Sequence, residues 1–396
     1  MAGDPLRGMG LVAVVVTHLT AAVLVASSVP LRATKLPALV EDHFGWASEP
    51  LLLAGGIGLA IFFCLSGYLI SRPFVRAYLG ADPLPSLGAF GANRLLRIVP
   101  AFWFAVTLYL VLFHRTGESV TGVAEVYLFV QNYQPEPGPL ATSVGHAWSI
   151  DVELAFYLFL PAAAFLLTRF TPLRSSLKGR LTIVLGVAAL GAVSSFAMLR
   201  AAPTSATTIH TIPFTLCYFL PGVMLAALEP VAVPFLHGKR AARVLAAGAL
   251  GFGLLAFVAV GDSGDIVAHG DAMSGLRRTA EGAASVFGPS LLLAAPLILQ
   301  WGGRSCPRAL DNAPLRWLGE RSYSLYLLHM LPIYLFRDDL TGLVERGVWQ
   351  MLAVAIVIEF ALLLPLAALS YRFVEKPFLS LKRARRSLSL RPEPAS

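Results

Sequence analysis

Long uninterrupted apolar runs, repeated along almost the whole chain, decide what this sequence can fold into. A helix needs roughly 17 to 25 mostly apolar residues to cross a bilayer. Runs of that kind fall near residues 8–30, 50–71, 98–114, 147–168, 181–199, 209–228, 242–260, 283–301, 321–337 and 348–372. The expectation is an all-α polytopic membrane protein of about ten transmembrane helices, with 122–132 as a short or interfacial extra. Composition agrees: the 396 residues are 56% hydrophobic and 14% charged, with a mean hydropathy of +0.70. Soluble domains do not reach such values.

Basic residues test that count, because cytoplasmic segments of membrane proteins are enriched in Lys and Arg. With a cytoplasmic N-terminus, 23 of the 31 Lys and Arg residues fall on the inner side. An even number of helices with both termini cytoplasmic therefore fits. The net charge of +8 is mostly this topology signal, so no nucleic-acid partner is expected. The tail sequence KRARR at 382–386 suits either anionic headgroups or a solvated end. The three cysteines, Cys64, Cys217 and Cys306, lie in two spans and one inner loop and imply no disulfide framework. No cleavable signal peptide is read, since the first run is long enough to span and serve as its own insertion signal. No transporter-type repeat is visible. The expected organisation is one membrane domain over 1–378 and a basic, disordered cytoplasmic tail over 379–396.

Against this background a few polar residues stand out. An ionisable group in the hydrocarbon costs roughly 2.5 to 3.5 kcal/mol on insertion scales, so it is paired, cavity-facing or functional. Those groups are His18, Asp151, Glu153, His329 and Glu359. At a rise of about 1.5 Å per residue, His18 stands roughly 16 Å above Arg7, and His329 roughly 13 Å above Glu320, so the two histidines can share one layer. Asp151 and Glu153 enter from the opposite face and point about 200° apart, which rules out a paired acid and base.

A lone buried histidine can be a structural hydrogen bond between helices or a general base, for which an ordinary pKa near 6.5 suits it. Both readings stand on the residues alone. No metal site is expected, because no HxxxH or HExxH spacing occurs. At the inner edge, Arg72, Arg94 and Arg97 read either as topology anchors or as a phosphate clamp, since guanidinium groups bind phosphate oxygens bidentately. Arg94 and Arg97 share a helix face.

Five blocks of the chain resemble the acyltransferase-3 family of bacterial integral-membrane acyltransferases. The first is D-x-L-R-G followed by an apolar run and a histidine, carried by Asp4, Leu6, Arg7, Gly8 and His18. The second is FFCLSGYLISR at 62–72 and the third NRLLRIVPAFW at 93–103. AWSIDVELAFYLFLP at 147–161 is similar to the family's WSLxVExxFY, and LGERSYSLYLLH at 318–329 to its LGxxSYxxYLxH, with FVEKPF at 373–378 beyond. Pro5 and Asp151 depart from the pattern, and Glu359 falls in none of the blocks.

The resemblance implies transfer of an acetyl or other short acyl group from acyl-CoA to a hydroxyl of a glycan, glycolipid or antibiotic-type acceptor. It implies His18 as the reactive histidine, acting as general base or through an acyl-histidine, with Arg7, Glu153 and His329 in the catalytic set. Arg72, Arg94 and Arg97 would hold the CoA phosphates. No permanently bound cofactor is expected; acyl-CoA is a donor substrate, and the setting is the inner membrane. The rival reading is a transporter whose buried charges relay protons. The residues do not identify the acceptor, although Trp46, Tyr133 and His146 in the outer loops are placed to line a sugar path.

Overall fold

A computed structural model describes residues 3–27, 48–113, 118–134, 138–171, 176–202, 207–261, 275–305, 312–341 and 348–381. The described residues are mostly helical, joined by short turns, with no strand among them. The long helices are α1 (Gly3–Ser27), α2 (Ser48–Tyr78) and α3 (Leu87–Phe113). Two short helices, α4 (Val120–Tyr127) and α5 (Pro139–Ser143), precede α6 (Trp148–Phe170). There follow α7 (Leu177–Ala201), α8 (Ile212–Leu236), α9 (Ala241–Gly261) and α10 (Gly275–Trp301). The chain closes with α11 (Ala313–Glu320), α12 (Ser322–Leu328), α13 (Met330–Thr341) and α14 (Val348–Ser370), continued by a π turn at Tyr371–Glu375.

Eight helices among the described residues are long and apolar enough to cross a membrane. They correspond to eight of the ten expected spans. The seventh expected span is α9, whose described apolar stretch Ala241–Ala256 is shorter. The ninth, 321–337, is divided: α12 ends at Leu328 and α13 starts at Met330, so His329 sits at the joint. The segment expected near 122–132 is α4, a helix of 8 residues. Its hydrophobic end is clamped to α3, where the Trp103 indole donates to the Tyr127 carbonyl at 2.9 Å.

Because lipid tails are as apolar as leucine, helices in a membrane associate where small residues let backbones close up. Two such places hold the site. Gly67 of α2 and Gly222 of α8 face each other so closely that a Cβ on either would overlap the partner backbone, at Phe219 and Cys64 respectively. Gly319 at the end of α11 packs on the Asp4 carbonyl, with Gly8 against the Leu315 carbonyl. The glycines of the first and fifth blocks are thus mutual packing surfaces, and α1 is wedged among α2, α11, α12, α13 and α14. Cys64 and Cys217 are buried and free. Cys306, Trp46 and the KRARR tail lie outside the described residues.

Candidate active site

His18 and His329 meet in one layer, as the helical rise anticipates: their ring centroids lie 4.9 Å apart, inclined at 65°. His146 extends the layer on the other side of His329, at 4.8 Å and 80°. Each ring is pinned through one nitrogen. His18 Nδ1 is 2.9 Å from the Val14 carbonyl, one turn back on α1. His329 Nδ1 is 2.6 Å from the Tyr326 carbonyl, and His146 Nε2 is 3.2 Å from the Leu327 carbonyl. A carbonyl oxygen only accepts, so in each neutral ring the pinned nitrogen carries the proton and the other keeps its lone pair. The lone pairs are therefore on Nε2 of His18 and His329 and on Nδ1 of His146. Those of His329 and His146 are buried and meet no donor among the described residues.

A small cavity of about 70 Å³, whose wall includes Arg7, Ser66, Arg97, Glu153, Tyr323 and Tyr326, borders the layer through Tyr326, whose ring centroid is 5.6 Å from that of His329. These six residues come from the five sequence blocks, one or two from each. Glu153 is fixed in place by two hydroxyls, Ser66 at 3.0 Å and Tyr157 at 2.6 Å, both donating to Oε1. Arg7 keeps Asp4 at 3.4 Å. With Asp4 behind Arg7, the two arginines Arg7 and Arg97 are matched by two carboxylates, Asp4 and Glu153. The ceiling is Tyr326, whose hydroxyl joins Ser149 at 2.7 Å and donates to the His146 carbonyl. Tyr323 donates to the Ile98 carbonyl at 2.9 Å, tying the fifth block to the third. From the FVEKPF stretch, Glu375 accepts from the Ser324 backbone amide at 3.1 Å.

The other two inner arginines are held differently. Arg94 lies over the rings of Phe90 and Tyr157, at 5.4 and 5.3 Å. Arg72 forks onto Glu229, with Nε and Nη2 at 2.6 and 2.5 Å, and Tyr68 donates to the same carboxylate at 3.0 Å. Sequence reasoning did not find Glu229, which is 157 residues from Arg72. Nearby, exposed Asp82 is held below the usual carboxylate range by its hydrogen bond to Arg76 at 2.5 Å.

Asp151 is buried on α6 while Glu153 faces the cavity, so the two carboxylates point to different places, as their spacing requires. Glu359 is buried on α14 and has no hydrogen-bond partner among the described residues. Among the outer-loop candidates, Tyr133 is exposed and His146 turns inward to the layer. His210, in the short turn before α8, stacks on Trp148 at 4.2 Å, and burial pushes its pKa below the ordinary histidine value. No group of three or more His, Cys, Asp or Glu among the described residues is arranged to hold a metal ion.

A family model described as the acyltransferase domain matches residues 4–372. The chain is 27% identical over 371 residues to the peptidoglycan O-acetyltransferase OatA of Listeria monocytogenes, covering 88% of this chain and 54% of that protein. It is 28% identical over 372 residues to the putative peptidoglycan O-acetyltransferase YrhL of Bacillus subtilis, with 88% and 54% covered. It is 27% identical over 370 residues to the O-acetyltransferase OatA of Staphylococcus aureus, with 88% and 56% covered. The chain thus spans about half the length of these relatives. No solved structure matches.

Proposed function

The chain belongs to the acyltransferase-3 family, and from that premise we propose that it is a membrane O-acyltransferase using acyl-CoA as donor, with His18 as general base. The observation that carries this reading is the convergence of all five sequence blocks on one cavity beside the histidine layer. The relatives are named for O-acetylation, two of them of peptidoglycan. The acceptor proposed is accordingly a hydroxyl of a cell-envelope glycan or glycan precursor, and the setting the inner membrane. The small cavity favours an acetyl or similarly short acyl group.

In this mechanism the CoA phosphates rest on Arg94, Arg97 and Arg72 at the inner edge, and the thioester arm passes Arg7 toward His18. His18 Nε2 is the free lone pair, oriented because Nδ1 is tied to the Val14 carbonyl. It takes the proton as the acceptor oxygen bonds to the acyl carbon. The carbon–sulfur bond then breaks, and the proton passes to the departing thiolate, which completes the balance: alcohol plus thioester gives ester plus thiol. Glu153, locked by Ser66 and Tyr157, offsets the charge of Arg7 and Arg97 in the wall. His329 packs against His18 and keeps its ring from turning.

The test is acetyl transfer by the purified protein from labelled acetyl-CoA to peptidoglycan fragments. Replacing His18 by Ala is expected to lower turnover by about 100-fold or more while CoA still binds. A folded His18→Ala protein with near-normal turnover would remove the base assignment. Failure of the wild type to acylate any hydroxyl acceptor would remove the function.

A further inference from the structure

His146 lies in the turn Gly145–Ala147, immediately before α6. Neither the general base nor the donor site accounts for its place: the ring stands at the far end of the layer His18, His329, His146, with centroid spacings of 4.9 and 4.8 Å. Nδ1 of His146 and Nε2 of His329 are both buried, both acceptors, and both without a donor among the described residues. A buried acceptor left unmet is unfavourable. Two of them on adjacent rings make a place that is short of one proton.

From this geometry we infer that His146 is a positioning residue for acyl transfer, completing a three-imidazole layer that holds the proton His18 removes from the acceptor. The inference rests on the acyltransferase reading above. In the familiar hydrolase triad, a carboxylate behind the histidine steadies the imidazolium. Here no carboxylate forms an ion pair with any of the three rings among the described residues, and a bare cation in an apolar layer is costly. A neighbouring imidazole with a lone pair supplies the missing acceptor. As the acceptor oxygen bonds to the acyl carbon, its proton goes to His18 Nε2. That proton passes on to the unmet Nε2 of His329, which then donates a hydrogen bond to the unmet Nδ1 of His146, and it returns to His18 by the same atoms. When the carbon–sulfur bond breaks, the proton leaves through His18 to the thiolate sulfur, and all three rings end neutral. No oxidant, metal or further reactant enters.

The variant that separates this role from packing is His146→Gln. Its side-chain amide nitrogen still donates to the Leu327 carbonyl, but it has no basic nitrogen. With acetyl-CoA and N-acetylglucosamine oligomers as probes, kcat is expected to fall about tenfold or more, with the Michaelis constant for acetyl-CoA within about twofold and the melting temperature unchanged. In His146→Ala, added imidazole is expected to restore part of the lost turnover. This second variant decides the matter if the first does not fold. Wild-type kcat in His146→Gln, or loss in His146→Ala that imidazole does not relieve, overturns the inference alone. A wild type that transfers no acetyl group from acetyl-CoA overturns the acyltransferase reading and this inference with it.

Discussion

Arg94 gives the faces of its guanidinium to Phe90 and Tyr157, which leaves the N–H edge open to oxygens. Arg97 lines the cavity itself. Arg72 instead spends two of its nitrogens on Glu229, so a phosphate there would meet an arginine already half neutralised. This ordering yields a prediction. Arg94→Gln and Arg97→Gln should each raise the Michaelis constant for acyl-CoA about tenfold or more, from loss of a charge-assisted hydrogen bond of about 1.5 to 3 kcal/mol. The constant for the acceptor should stay nearly fixed, and the difference from wild type should shrink as salt screens the charges. Initial-rate kinetics at two ionic strengths check this, and an unchanged donor constant in both variants would leave these arginines as topology anchors. At this scale the sequence was readable where one helix carries the geometry. His18 could be set to its height above Arg7 because both lie on α1 and rise per residue is fixed, whereas His329 reaches the same layer across the breaks that follow Glu320 and Leu328. His146 could not be set so, since a residue in a loop has no such ruler, and the contact of Arg72 with Glu229 joins two distant helices that no local pattern links.

The elements show the same division. Apolar runs announced the long helices, because each must satisfy its backbone internally in lipid. The length of the run from 321 to 337 did not announce the break at His329, where α12 stops and α13 begins; the mark was Pro332, which has no N–H to donate to the carbonyl one turn back, at Leu328. That joint directs Nδ1 of His329 back to the Tyr326 carbonyl. Nor did the runs say which helices touch. The crossing of α2 and α8 depends on Gly67 and Gly222, whose backbones are so close that a methyl group would overlap Phe219 or Cys64. Overpacking of this kind typically costs about 1 to 3 kcal/mol, because a backbone carbonyl cannot rotate away as a flexible side chain can. Gly222→Ala should therefore lower the melting temperature of the purified protein. Ala substituted at Gly248, where an added Cβ meets nothing within 4 Å, should leave it unchanged. Equal melting temperatures for the two variants would show that the crossing tolerates a side chain.

At the scale of the whole molecule, the proposed reaction takes a direction from the sequence-based topology and the helical rise that separates His18 from Arg7. Arg72, Arg76 and Arg94 belong to the segments that the distribution of Lys and Arg assigns to the cytoplasm. His18 stands roughly 16 Å along α1 from Arg7, and His146, at the other end of its layer, lies in the turn immediately before α6, which the same distribution of Lys and Arg assigns to the opposite side. On the proposed reading a polyanionic donor, which does not cross a bilayer, enters where the arginines are, and a glycan displayed outside approaches from the side of His146. Sealed vesicles of known orientation test this arrangement. Acetyl-CoA, which does not permeate, should support transfer only from the face bearing Arg76 and Asp82. The orientation itself can be fixed by labelling with an impermeant maleimide after Cys306 is replaced by Ser. A cysteine at exposed Ala81 should react from the donor face, and one at exposed Thr142 from the opposite face. Buried Cys64 and Cys217 should stay silent. Transfer driven by acetyl-CoA from the Thr142 face alone would overturn the donor site at the arginines, and with it the path that leads from them to His18.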